Sequence, residues 1–282
     1  MSVRNGIHTG LPVKLLRAAE TLGVPYGVLP MLLRKGEIRL NGKKTYENVT
    51  VNHGDEVTVY YAPPSPSVKY EDENILIVYK RKGIKSDGED GFEGEIRREL
   101  CETAVLCHRI DTNTDGIVLF AKNAIAEREI EKAFKNRWIE KKYLALAYGI
   151  FKKTGVQKAY LEKDEKAGTV TVSEYPQGEE IETRFEVVET FKEQNLTLLD
   201  VTLITGKTHQ IRAHLKYLGS FVVGDGKYGN DIVNRRLKAG KQQLTAYKIT
   251  FHFQNGSVLE YLNGKAVDIK LKVESGKLKI EE

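Results

Sequence analysis

One stretch of the chain constrains it more than any other, the twenty residues from Ala104 to Asn123, A-V-L-C-H-R-I-D-T-N-T-D-G-I-V-L-F-A-K-N. Two apolar runs of strand length, Val105 to Ile110 and Ile117 to Ala121, enclose a turn built from Asp111, Asn113, Asp115 and Gly116. Acidic and amide side chains between strands serve an ordinary hairpin, which needs local side-chain bonds and a positive φ. The same residues occupy places one, three, five and six of a calcium loop, but the twelfth place is Lys122, and a cation cannot supply the closing carboxylate. Calcium is therefore excluded, and the turn reads as charged groups presented at a sheet edge.

The chain around it has 282 residues, 40% hydrophobic and 29% charged, enough for one large domain and a small one. No apolar run reaches the length that spans a bilayer and the N-terminus lacks a signal-peptide core, so a cytoplasmic protein is expected. Cys101 and Cys107 are the only cysteines, with no second pair to make a zinc signature, and the six histidines form no ligand set. Neither a metal nor a cofactor is expected. Gly206-Lys207-Thr208 suggests a phosphate loop, but the required preceding glycine is Val201, which excludes that turn.

Residues 1–62 carry eight basic and five acidic residues, a net of +3, and read as a unit of two short helices followed by short strands. The expected helices cover 15–22 and 28–33, and the expected strands include Ile38-Arg39-Leu40 and Val57 to Tyr60. Residues 63–69 follow as a proline-rich linker that cannot join a sheet, and residues 70–282 form the second domain. In that domain Asn74 to Lys80 reads as a buried strand, Gly83 to Gly94 as a mobile loop, and 125–134 as an amphipathic helix. Strands are expected at 141–149, 183–191 and 196–204, and Ile211, Leu215 and Leu218 stripe a helix that Gly219 ends. Arg212 projects from the edge of that stripe, where a half-buried arginine needs an anionic partner.

Three segments carry a resemblance. His108 to Gly116 (H-R-I-D-T-N-T-D-G) resembles the H-R-L-D-x-x-T-S-G signature of the RluA-type pseudouridine synthases. Lys141 to Gly149 resembles that family's K-x-Y-x-A-x-x-x-G, and Thr205 to His214 its T-G-R-x-H-Q-I-R-x-H. Val223 to Gly229 is similar to x-G-D-x-x-Y-G. The departures are Ile110 for Leu, Asp115 for Ser, Thr245 for the His of an L-H-A segment, and Lys80-Arg81-Lys82-Gly83 where the family has K-P-x-G. The segment from Leu32 to Lys44, with His53 to Val59, is similar to the S4 RNA-binding module.

The resemblance implies an α+β protein, a mixed and mostly antiparallel catalytic sheet with a small N-terminal α/β S4-like module. It implies Asp111 as catalytic nucleophile, Arg212 as the partner that keeps it ionised, Tyr143 as the ring stacked on the target base, and Arg109, expected on the same strand face as Asp111, as the group that displaces the base. Arg34, Lys35, Arg39, Lys43, Lys44 and Lys207 are the expected RNA contacts, and Arg235, Arg236, Lys238 and Lys241 are a second basic cluster or a solvated loop. The implied activity is isomerisation of uridine to pseudouridine in structured RNA by a monomer. Large-subunit ribosomal RNA is the first expectation and transfer RNA the alternative; a non-catalytic RNA-binding or ribosome-assembly protein is the competing class. A hydrolase of small molecules using Asp111 is the third reading. No residue is identified as the base that removes the C5 proton.

Overall fold

The computed structural model describes residues 2–24, 26–61 and 65–281. The chain divides into two compact units, 1–67 with 80–103, and 68–79 with 104–282. The proline-rich junction at 62–64 lies outside the described residues. Residues 80–103, expected in the second domain, pack with the first unit.

In the first unit a four-stranded sheet runs in the order Ser2–Ile7, Glu56–Tyr61, Ile38–Leu40, Lys43–Lys44. Helices Leu15–Glu20 and Leu29–Arg34 bury Leu15, Ala19, Leu29 and Leu33 against Ile38, Val57 and Val59. The alternating burial of Glu56–Tyr61 is the signature of a strand with one face in a core. The stretch 83–94, expected to be a mobile loop, is tied down and leads into a helix, Phe92–Glu99, that the sequence pattern does not announce. Two contacts explain the difference. The fully buried Lys80 ammonium donates to the carbonyl of Ile84 at 2.8 Å, and Arg81 pairs with Glu95 at 2.9 Å. These bonds fix the Lys80-Arg81-Lys82-Gly83 corner without the proline of the family pattern.

The second unit is organised by one large mixed sheet. Its main strands in chain order are β1 (Ser67–Glu71), β2 (Ile75–Lys80), β3 (Asp115–Ala121), β4 (Ile139–Tyr148), β5 (Gly155–Asp164), β6 (Thr169–Ser173), β7 (Glu179–Phe191), β8 (Leu196–Leu203) and β9 (Leu244–Phe251). Across the sheet they lie β6-β5-β7-β8-β4-β9-β3-β2-β1. Pairings from β6 through to β9 are antiparallel, whereas β9 and β3 run parallel, with Asp115 opposite Thr245 and Gly116 opposite Ala246. Among the described residues three α-helices accompany the sheet: α1 (Ala124–Lys135), α2 (Gln210–Tyr217) and α3 (Asp231–Arg236). Asn123 caps α1 by accepting from the backbone N–H groups of Ile125 and Ala126. Ile130 and Ala133 of that helix pack on Ile75, Ile117, Leu119 and Phe251 to form the main core. No helix among the described residues is long and apolar enough to cross a membrane.

The first strand of the key stretch is shorter than expected. It covers Val105–Leu106 rather than running to Ile110. Burial keeps the His108 imidazole neutral, its pKa pushed down to about 3 with help from the Lys141 charge, and its Nε2 accepts the Leu119 N–H at 3.2 Å. That side chain takes the donor a continuing ladder would have used, so the backbone leaves the sheet before Arg109. Arg109 and Asp111 therefore sit on an irregular segment and not on one strand face.

Candidate active site

Asp111 opens a tight turn whose closing bond runs from the Thr114 N–H to its own carbonyl at 3.0 Å. The turn is fixed from below by Gln242, whose amide donates to the Thr114 hydroxyl at 2.7 Å. Immediately after it, Gly116 has φ +127°, and a Cβ there would lie 2.1 Å from the carbonyl oxygen of Ala246. Glycine is required because the backbones of β3 and β9 nearly touch.

Arg212 reaches this turn from the first turn of α2. The loop before the helix is locked by Gln210, whose Oε1 accepts from the Lys207 N–H and the Thr205 hydroxyl while its amide donates to the Glu182 carbonyl and the Thr183 hydroxyl. His209, at the N-cap, is held in the left-handed region at φ +55°, a conformation that a non-glycine residue adopts at a cost and that clusters at functional sites. His209 Nδ1 lies 2.9 Å from the Tyr228 hydroxyl.

The guanidinium of Arg212 is buried and serves two carboxylates. Nη1 donates to Asp111 Oδ2 at 2.7 Å, while Nε and Nη2 donate to the two oxygens of Asp225 at 2.7 and 2.9 Å. The Tyr228 ring lies under it, 5.0 Å from centroid to guanidinium carbon. Burial alone would raise the Asp225 carboxyl, but the bonds and charge of Arg212 and the N–H groups of Lys227 and Tyr228 outweigh it and hold the group below the usual carboxylate range. In the sequence Asp225 stands out only as part of a glycine turn. In the structure it is the anchor that aims Arg212.

Asp111 Oδ2 is thus committed, and Oδ1 makes no hydrogen bond among the described residues. The side chain keeps 23% of its surface exposed. Beside it, Tyr143 on β4 is 5% exposed between Val201 of β8 and the small Ala246 of β9. Burial first, and then the charge of Asp111, push the ionisation of its phenol well above the ordinary range, so it is neutral. Asp111, Tyr143, Arg212, Arg109, Lys141 and His209 line one pocket of about 60 Å³. Lys207 also borders this pocket, with its ammonium paired to Glu179. Lys141 and His209 carry no role that the sequence reveals, although both lie inside the quoted motifs.

The other expected RNA contacts lie in the first unit. Arg34 and Lys35 end a helix, where cations also suit the helix dipole. Arg39 is paired directly across from Lys44, and its guanidinium covers the Tyr60 ring at 4.6 Å. Like charges placed opposite each other in a sheet are destabilising unless an anion lies between them.

Comparison with known proteins places the chain in a family. Residues 74–217 match the family model described as RNA pseudouridylate synthase. The chain is 32% identical to a Vibrio cholerae protein named ribosomal large subunit pseudouridine synthase C, over 89% of this chain and 86% of that one. Identity is also 32% to the Escherichia coli protein of the same name, over 76% and 75% of the two chains. An uncharacterized RNA pseudouridine synthase of Mycoplasma genitalium is 32% identical over 78% and 79%. The human RNA pseudouridylate synthase domain containing 1 shares the fold at a TM-score of 0.59 and 23% identity, covering 76% of this chain and 94% of that one. The fold is that of an RNA pseudouridylate synthase domain, a class of RNA-modifying isomerase. The chain belongs to the RNA pseudouridylate synthase family.

Proposed function

We propose that this protein converts uridine to pseudouridine in large-subunit ribosomal RNA, with Asp111 as the nucleophile. The observation that carries the reading is the divided state of that carboxylate, one oxygen bound to the buried Arg212 and the other without a hydrogen bond among the described residues, on a side chain that lines the pocket together with Tyr143. The relatives named for the ribosomal large subunit support the choice of RNA.

The free oxygen bonds to C1′ as the C1′–N1 electron pair leaves with the uracil. The uracil turns, C5 bonds to C1′ and expels Asp111, the C5 proton departs, and N1 ends protonated. Substrate and product are isomers, so the chemistry calls for no cofactor. The flipped base must be held outside its stack at a cost of a few kcal/mol, which stacking on Tyr143 offsets, and Arg109 at the exposed mouth takes the vacated place. The N-terminal unit, similar to S4, supplies phosphate contacts through Arg34, Lys35, Arg39, Lys43 and Lys44.

Asp111→Asn tests the reading. The variant is expected to fold and bind ribosomal RNA as the parent does and to release no tritium from RNA carrying [5-³H]uridine. Parental tritium release would overturn the assignment of Asp111.

A further inference from the structure

Lys141 lies two residues before Tyr143 on β4 and lines the same pocket. Its side chain is half-buried, yet among the described residues its ammonium makes neither a hydrogen bond nor an ion pair. Its companion is the ring of Phe134, 4.8 Å from ammonium to centroid. Burial draws its pKa down to about 8, which still leaves it mostly cationic at neutral pH. The one carboxylate lining the pocket, Asp111, is committed to Arg212. A half-buried ammonium with no counter-ion has lost part of its hydration, which a ligand anion arriving through the pocket would replace.

Two further features show where that anion would come from. Gly206 has no positive φ, but a Cβ on it would lie 3.2 Å from the Lys141 ammonium nitrogen, so glycine keeps the approach to the charge open. Beyond Lys141 lies a second cavity of about 390 Å³, which shares Lys141, Leu203 and Gly206 with the first and adds His108, Phe134, Arg137 and His252. Its size falls in the small-ligand range of about 300–1,000 Å³, and although Glu140 also lines it and Arg137 is paired to Glu182, the rings of Phe134, His108 and His252 offer faces on which a base can stack. Lys141 therefore stands at the boundary between the two spaces.

We propose that Lys141 holds the phosphate joining the target uridine to its neighbour in the RNA, and that the larger cavity receives that neighbouring nucleotide. The proposal rests on reading the smaller pocket as the uridine site. An ammonium is a compact point charge with three donors, which suits a phosphate reached from several directions.

The test compares the parent, Lys141→Met and Lys141→Arg in filter binding to a large-subunit ribosomal RNA transcript over a salt series, with tritium release from the same RNA carrying [5-³H]uridine. With one phosphate fewer neutralised, the slope of log affinity against log salt should fall by about 0.7–0.9 in Lys141→Met, while Lys141→Arg keeps the parental slope. Lys141→Met should melt no lower than the parent, because an uncompensated half-buried charge has gone. If methionine is not tolerated, Lys141→Gln removes the charge while keeping a polar end, and the same slope change is expected. Replacing the nucleotide beside the modified uridine with an abasic one should weaken binding to the parent by about five- to a hundredfold, because it removes a stacked base. An unchanged slope in the neutral variants overturns the phosphate contact, including the case in which turnover alone falls, which would place the ammonium on the uracil. Undiminished binding of the abasic RNA overturns the role of the larger cavity. A parent protein that releases no tritium would instead overturn the reading of the uridine pocket itself.

Discussion

The hydroxyl of Thr245 donates a 2.7 Å hydrogen bond to Asp115 Oδ1, and these are the two positions at which the chain departs from the family pattern of Ser and His. They are partners across the parallel pairing of β3 and β9, and the Tyr79 hydroxyl donates to the other oxygen of Asp115, also at 2.7 Å. The two departures are thus one change, a carboxylate acceptor matched to a hydroxyl donor beside the Asp111 turn.

The pair should be energetically coupled. Asp115→Ala leaves the buried Thr245 hydroxyl and the half-buried Tyr79 hydroxyl without this acceptor and is expected to cost about 1–3 kcal/mol. In denaturant titrations of Asp115→Ala, Thr245→Val and the double variant, the double cost should fall short of the sum by at least about 0.5 kcal/mol. Strict additivity would mean that the contact carries no energy.

Arg212→Leu should do more than abolish turnover. It strands the fully buried Asp225 without its partner, and breaking such a pair costs about 3–5 kcal/mol. The pH dependence follows from the direction of the shift. In the parent the Asp225 carboxyl is held low, so its stabilising contribution is present above the unfolded carboxylate pKa and is lost as pH falls through the depressed folded value. In the variant, burial without the arginine raises that pKa, and the contribution is lost as pH rises. The stability gap between parent and variant should therefore widen from about pH 4 to pH 7. A gap that stays constant over that range would show that Asp225 is not the group left uncompensated.

Gly116→Ala should be among the most damaging single changes in the protein. The added carbon meets backbone at 2.1 Å, and backbone cannot swing aside as a side chain can. A loss of about 4 kcal/mol or more is expected in thermal or denaturant unfolding. A soluble variant with the parental melting temperature would show that the β3 and β9 backbones can separate.

Charge in the N-terminal unit is best probed without cutting the chain. Residues 80–103 pack with that unit, so truncation at residue 62 would strip the helix Phe92–Glu99 of its surroundings. Substituting Arg34, Lys35, Arg39, Lys43 and Lys44 by Gln should lower the salt slope of RNA binding by about 0.7–0.9 for each phosphate that is no longer neutralised. Parental slope in the five-fold variant would assign the unit another purpose.

Much of the second unit was legible because its motifs are local. The strand run ending at Lys80, the helix after Asn123 and the helix carrying Arg212 announce themselves by apolar period and caps, and lie within a few residues of where the pattern puts them. The partner of Arg212 was less legible. Asp225 sits in a glycine turn thirteen residues on, and nothing in the spacing shows that the chain folds back to place both of its oxygens on the guanidinium. Lys141 is hidden for a related reason. A lysine in a charged run reads as solvated, and burial at a pocket wall is a tertiary property. The Arg109 segment misleads because its apolar residues match a strand, while the competing bond comes from the His108 side chain.

The position of β9 has a consequence for the order in which the protein becomes active. β3 and β4 follow one another in the sequence, yet β9 lies between them in the sheet, and its backbone forms the floor that Gly116 and Tyr143 share. During synthesis, the Asp111 turn and Tyr143 are both made long before the strand that separates them. Until Leu244–Phe251 inserts, β3 lacks its parallel pairing with β9 and Ala246 is not yet beside Tyr143. Such non-local pairing is slow, and it delays the working pocket until β9 has been made and inserted. A growing chain still attached to the ribosome that makes it therefore carries the Asp111 motif without the pocket that would put it to use.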